Sequence, residues 1–368
     1  MPDAPRTAVR SLGVERPGRM AFFSYEDGPP GEGQFQVETL FTGFSAGTEL
    51  TFLKGSNPYL NARWDERYGV FVPGGAGARY PVPILGYMEA GRVARSRTPA
   101  VREGEAVAMA YGHKTGHTAD AAREFFFPLP PGLDPLLGVY VAQMGPICAN
   151  GLLHAAADLV GADVRDLGDG VRGRNVLVLG AGVVGLLTAL FCRRHGAAEV
   201  LVADPAPYRR AKAEAMGFAA ADERGVWREA KDRWSHGGPE RGADLVLQCR
   251  ASAASLHEGL KALRPQGTVI DLAFYQGGAE PLRLGEEFHH NGLALRCAQI
   301  GRVPRGLGFA WNRRRLAGET VALLRAEGGA VREHMIGDVV PFDEAPAFLA
   351  DLVARRRDFV QIVFRVAG

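Results

Sequence analysis

Residues 174–204, RNVLVLGAGVVGLLTALFCRRHGAAEVLVAD, constrain this chain more than any other stretch. Val176-Leu177-Val178-Leu179 is a short, uninterrupted apolar run, the pattern of a strand covered on both faces of a parallel sheet. Three glycines follow, Gly180, Gly182 and Gly185, spaced G-x-G-x-x-G, and a helical period runs on through Leu186, Leu187, Leu190 and Phe191. Gly180 permits a tight turn, Gly182 removes a Cβ that would hold a pyrophosphate away, and Gly185 lets the helix lie close to the strand. Val183 and Val184 open that helix, where unpaired N–H groups and a partial positive charge suit phosphates. A second apolar run, Val200 to Ala203, ends at Asp204, about 20 residues beyond Gly185, where a carboxylate suits ribose hydroxyls. The pattern predicts a dinucleotide site. A turn without ligand, or a methyl donor whose ribose also attracts a carboxylate, stands as the alternative. Asp204 favours NAD(H) by repelling a 2′-phosphate, while Arg209 and Arg210 could pair one, which keeps NADP(H) open.

A length of 368 residues exceeds one ordinary domain and implies two, each able to bury a core. A formal charge of +2 gives no polyelectrolyte signal, so nucleic acid is not an expected partner. The N-terminal stretch lacks an apolar core of signal-peptide length and no long apolar run occurs, which predicts a cytoplasmic protein with no membrane span. The cysteines, Cys148, Cys192, Cys249 and Cys297, are scattered in apolar surroundings without a C-x-x-C pair. They are expected to be buried free thiols in a reducing compartment, and they cannot build a four-cysteine zinc lobe.

Residues 1–150 alternate short β-type segments with Gly/Pro turns, as at 34–37 and 91–94, and predict a small twisted β-structure. Within them, residues 55–83 show no period, and the aromatics Tyr59, Trp64, Tyr68 and Phe71 suggest a packed, substrate-covering loop. From 151 to 301 strands and helices alternate: helices near 207–216 and 252–263, strands near 243–247, 268–272 and 293–300. That repetition predicts an α/β, doubly wound parallel sheet. Residues 302–368, with helices near 318–327 and 343–355 and a strand near 360–364, are expected to rejoin the first part.

This layout resembles the medium-chain dehydrogenase/reductase superfamily, in which a GroES-like β-rich catalytic domain accompanies a Rossmann domain. The resemblance is carried by Gly43-Phe44-Ser45-Ala46-Gly47-Thr48-Glu49, by Ile84-Leu85-Gly86-Tyr87-Met88-Glu89-Ala90-Gly91-Arg92-Val93, by the glycine fingerprint and by Val340-Pro341-Phe342-Asp343-Glu344-Ala345-Pro346. Zinc-dependent members carry G-x-C-G-T-D and L-G-H-E. Here Ser45-Ala46 stands in place of the cysteine and Tyr87-Met88 in place of His-Glu. A third ligand would fall near Cys148, which alone cannot hold zinc. The wording is similar to a zinc-less branch that includes the dehydrogenase of the bacteriochlorophyllide hydroxyethyl group and zinc-type alcohol dehydrogenase-like proteins. Met88 departs from the glutamate usual there. The resemblance implies a zinc-independent, NAD(P)-dependent oxidoreductase exchanging a hydride with a carbinol/carbonyl pair, on a small molecule that could be large or conjugated. Its members commonly dimerise through Rossmann edge strands, which here would be the stretch 293–301. An enoyl or quinone reductase, or a nucleotide-binding module without turnover, remains a rival.

Without a metal, a side-chain acid or base must handle the proton. Thr48 aligns with the relay hydroxyl of zinc members and Glu49 with the neighbouring acid, although both residue types also suit a helix start. Tyr87 can donate to a carbonyl or alkoxide, or pack as a core aromatic. Glu89 is a weaker candidate. His113 and His117, in a Gly-rich loop, are acid/base candidates by pKa, with surface exposure the commoner state for such residues. His154, on a helix face, is expected in the core.

Overall fold

The expected first strand of the nucleotide lobe is Asn175–Leu179, and everything but its first residue is buried. It lies at the centre of a six-stranded, wholly parallel sheet. In spatial order the strands are Ala219–Ala221, Glu199–Ala203, Asn175–Leu179, Ala243–Gln248, Leu263–Asp271 and Ala294–Cys297. Counted by occurrence in the chain this is 3-2-1-4-5-6, and the order reverses between Asn175–Leu179 and Ala243–Gln248, where doubly wound sheets hold their ligands. Leu177, Leu179, Leu201, Val246 and Val269 join Leu256, Leu260 and Trp234 in one core cluster. The structure is a computed structural model and describes residues 6–75, 77–355 and 357–367; the first five residues of the N-terminal stretch lie outside that set.

Two compact units result, residues 1–143 with 338–368, and residues 144–337. The sequence placed these divisions at 150 and 301. The helix Met144–Val160 starts earlier than the composition change at Gly151 and packs on Val183–Arg194 and Arg313–Ala330, which draws residues 302–337 into the second unit.

The first unit is built on a seven-stranded sheet whose long member, Gln34–Phe44, pairs with Gln361–Arg365 on one side and Glu89–Ser96 on the other, both antiparallel. Phe35, Val37, Val93, Val107 and Met109 fill one core cluster, and Leu12, Phe44, Leu85, Ile362 and Phe364 belong to another. A register shift between Thr39 and Phe41 inserts an extra residue opposite Gly91/Ala90. Such a bulge re-aims the side chains beyond it, and here it sets Thr42 directly across from Glu89. Gly91 is required on that strand, since a Cβ would lie 2.6 Å from the Glu38 carbonyl oxygen.

Residues 55–83, expected as a loop, contain a hairpin, Ala62–Asp65 with Val70–Pro73. Tyr59 and Trp64 both stack edge-on against Phe71, yet Tyr68 is 68% exposed and Trp64 and Phe71 remain open to solvent. Among the described residues no helix is long and apolar enough to cross a membrane. The cysteines correct the expectation in part: all four are free, and Cys148 and Cys192 are buried, but Cys297 is exposed on the edge strand.

Candidate active site

In the first unit, Ser45 is the N-cap residue of the helix Ala46–Lys54, but its side chain makes no capping bond. That bond is supplied in reverse by Glu49, whose Oε1 accepts from the Ser45 N–H at 2.8 Å. Glu49 is therefore a helix-start residue, as one reading of Thr48-Glu49 held. Ser45 Oγ is left free to hydrogen-bond the Tyr87 hydroxyl, and Tyr87 also reaches Thr48 Oγ1 at 3.4 Å. Ser45, Thr48 and Tyr87 thus form one hydroxyl cluster, with Tyr87 and Thr48 half-buried. Burial raises the pKa of Tyr87, Glu49 adds to it, and the bonds to Ser45 and Thr48 oppose it. Tyr87 is consequently a neutral donor throughout the neutral range.

His113 is not at the surface. Its side chain is completely enclosed, stacked beside Phe44 with centroids 6.3 Å apart and edge-on to Phe364 at 5.8 Å. Gly86, at φ +96°, makes room for it, because a Cβ there would fall 2.8 Å from the imidazole. His113 Nε2 lies 2.6 Å from Glu49 Oε2, and Nδ1 lies 2.5 Å from Thr42 Oγ1. Burial works against its charge, but the Glu49 carboxylate prevails and its pKa is raised. His113 therefore stands behind Glu49, without access to a substrate. His117 is partly buried against Glu124 at 2.7 Å. Thr42, which no sequence motif marked, belongs here, as does the weaker candidate Glu89, which is fully buried and pushed by that burial up to about 7. Glu89 accepts from Thr42 Oγ1 at 3.0 Å and from the Tyr111 N–H at 2.9 Å.

These donors do not suit zinc. Where the resemblance would put the ligands, at Ser45-Ala46 and Tyr87-Met88, the side chains offer two hydroxyls bonded to each other, with neither thiolate nor imidazole. Cys148, in the second unit, donates to the Val184 carbonyl at 3.4 Å, and burial pushes its thiol up to about 12. Among the described residues, the one trio of metal-capable side chains close enough to share an ion is His257, Glu286 and Glu287, also in the second unit.

The nucleotide cradle of the second unit follows the fingerprint. Gly180 turns at φ +98° and Gly182 is the N-cap of Val183–Arg194, with no side-chain capping bond at the helix start. A Cβ on Gly185 would lie 1.7 Å from the Gly180 carbonyl oxygen, so only glycine permits this close packing. Asp204 is buried at the end of Glu199–Ala203, and its two oxygens accept from Ala181 N–H at 2.9 Å and Ala206 N–H at 2.8 Å. Each carboxylate oxygen retains a second lone pair for a ribose hydroxyl. Arg209 Nη1 stands 3.8 Å from Asp204 and equally far from where a Gly182 Cβ would be. Arg210 is instead tied to the Asp204 and Pro205 carbonyls. Arg250, unmarked in the sequence, touches the Gly180 turn and pairs with buried Glu223 at 2.5 Å.

A sheet of order 3-2-1-4-5-6 with this cradle, in a chain that also carries a β-rich unit, defines a nucleotide-dependent dehydrogenase scaffold. A family model for zinc-binding dehydrogenases matches residues 183–304. D-guloside 3-dehydrogenase of Escherichia coli K12 is 24% identical over 92% of this chain and 94% of its own length. A zinc-binding dehydrogenase from Sinorhizobium meliloti bound to NADP superposes with TM-score 0.71 at 20% identity, covering 98% of this chain and 99% of that one. A short chain alcohol dehydrogenase from Escherichia coli CFT073 complexed with NADH does so with TM-score 0.71 at 16% identity, over 98% and 99%. Along nearly its whole length the chain is similar to dehydrogenases and shares their fold, and that likeness supports an oxidoreductase.

Proposed function

We propose that the protein is a nicotinamide-dependent dehydrogenase that interconverts a secondary carbinol and its ketone without zinc, using the Ser45–Tyr87–Thr48 hydroxyls for the proton. The carrying observation is that Ser45 and Tyr87, in the two motifs where zinc-dependent relatives would carry ligands, are hydrogen-bonded to each other with Thr48 beside them. On ketone reduction Tyr87 donates its proton to the oxygen, while a bound reduced nicotinamide would supply the hydride to carbon. In the oxidative direction the carbinol proton leaves through the same hydroxyls. Tyr87 supplies a positioned donor where a metal would polarise oxygen. The second unit's role is to bind the dinucleotide, with phosphates at Gly182–Val184 and the ribose at Asp204. NAD(H) is favoured over NADP(H) because Asp204 opposes a 2′-phosphate; Arg209 moderates that preference.

The relative named D-guloside 3-dehydrogenase is matched along nearly the whole chain, and it points to a hydroxyl on a polyhydroxylated or glycosidic substrate. A panel of polyols, glycosides, aryl carbinols and enones, followed at 340 nm with both cofactors, tests this reading. Turnover of a carbinol supports it. Turnover of enones alone would favour the conjugated-bond reductase, and cofactor binding with no turnover would favour a binding module.

A further inference from the structure

Behind the hydroxyl cluster runs an unbroken chain of buried groups: Glu49, His113, Thr42 and Glu89. None is more than 2% exposed, so water does not complete their hydrogen bonds. Their protons can be placed by counting. Glu49 Oε1 accepts from Ser45 N–H and Oε2 faces His113 Nε2 at 2.6 Å, so Nε2 carries a hydrogen. At the far end, Glu89 Oε2 accepts from Tyr111 N–H, and the Gly112 backbone also donates to this carboxyl. Between them Thr42 has one hydroxyl hydrogen and two partners, Glu89 Oε1 at 3.0 Å and His113 Nδ1 at 2.5 Å.

One hydrogen between two partners permits two arrangements. In the first, Thr42 donates to a Glu89 carboxylate and accepts from Nδ1–H, so His113 is an imidazolium. In the second, protonated Glu89 donates to Thr42, Thr42 donates to Nδ1, and His113 is neutral. Both hold the same hydrogens and the same net charge. They interconvert when the Glu89 O–H breaks as a Thr42 O–H forms, while the former Thr42 O–H breaks as Nδ1–H forms. No other reactant is needed.

We propose that Glu89, Thr42 and His113 are a buried proton shuttle that moves positive charge toward the Ser45–Tyr87–Thr48 cluster when negative charge develops there, a role that rests on the dehydrogenase reading above. His113 is the partner of Glu49, and Glu49 in turn holds the Ser45 backbone, so the imidazolium form places its charge at the cluster's end of the chain. The other titratable groups acting on Glu89 and His113 are Tyr111 and Lys114 from the following loop, Tyr87 from its own segment and Glu49 from the helix. Burial raises Glu89 to about 7, and the Glu49 carboxylate raises His113 against its own burial, so both ends of the chain favour the proton. These are positioning residues, since none reaches substrate.

The test is ¹⁵N-imidazole and ¹³C-carboxyl NMR of the full chain, with the His113 signal assigned by His113→Gln. In wild type the His113 nitrogens and the Glu89 carboxyl should titrate with one shared midpoint. Thr42→Val should split it in two, and Thr42→Ser should restore it. Glu89→Gln, whose amide N–H donates to Thr42 permanently, should hold His113 neutral and protonated only at Nε2, and it decides the matter should Thr42→Val not fold. Separate midpoints in wild type, an unsplit midpoint in folded Thr42→Val, or an imidazolium at neutral pH in Glu89→Gln would overturn the shuttle. In turnover, Thr42→Val should lower kcat about tenfold, short of the 10²-fold or more expected of a group acting directly. The NMR arms need no turnover, so a failed activity assay would count against the dehydrogenase reading alone.

Discussion

Replacing Glu89 with glutamine should relieve the first unit of a penalty that grows as pH rises. Burial lifts Glu89 from 4.5 to about 7. A carboxyl whose folded pKa is raised stabilises the fold fully below its unfolded value, and that contribution is lost as pH climbs through the folded value. The window therefore runs from about 4.5 to about 7. A displacement of about 2.5 units at ~1.4 kcal/mol per unit amounts to about 3 to 4 kcal/mol over the whole window. Glutamine keeps an oxygen for the Tyr111 N–H and turns Thr42 toward His113, which it holds neutral, so the site carries no group that ionises across this range. Native-state amide exchange in the strand Glu89–Ser96 isolates this unit from the other. Measured at about pH 5 and about pH 8.5, the protection of the variant relative to wild type should improve by about 2 to 3 kcal/mol between the two, because the unfolded carboxyl is already mostly ionised at pH 5. A difference that stays flat across that range would refute the assignment of a buried, pH-sensitive carboxyl to this position.

Tyr87→Phe should lower kcat about 10²-fold or more while NADH affinity stays at the wild-type value; unchanged turnover in both Tyr87→Phe and Thr48→Ala would remove the hydroxyl cluster from the mechanism. Fluorescence titration should show NADH bound more tightly than NADPH, with Arg209→Ala widening the gap and Asp204→Ala narrowing it; an Asp204→Ala variant with wild-type preference would contradict the role given to that carboxylate. Light scattering at micromolar concentration should find a dimer paired through the edge strand Ala294–Cys297, where Leu295 is 42% exposed, and Leu295→Lys should dissociate it; a wild-type monomer would count against that edge.

The nucleotide lobe was legible because its signals are local. An apolar strand, three glycines at fixed offsets and an acid at the next strand end are contiguous in the chain, and parallel strands repeat at helix-length intervals. The helix Val226–Arg233 escaped notice because VWREAKDR buries only Val226 and Ala230, too few apolar positions to mark a period. The site of the first unit was legible only in part. Ser45, Thr48 and Tyr87 fall in recognisable motifs, but Thr42 opposite Glu89 depends on a bulge between Thr39 and Phe41 that no residue type announces. His113 was expected at the surface because glycines surround it. The glycine at 86 instead admits its ring to the core, and pairing with Glu49 offsets its burial. Asp204 was legible as an acid at a strand tip, whereas the two backbone N–H groups that occupy it were not.

Here hydroxyls do the work a metal does elsewhere on this scaffold. That is tested most directly by measuring turnover at 340 nm and zinc content on the same sample, before and after exhaustive chelation, with the carbinol that the substrate panel identifies. The sample should hold well under one zinc per chain, and chelation should leave its rate unchanged. A rate that falls in proportion to zinc removed, and returns when zinc is restored, would contradict it.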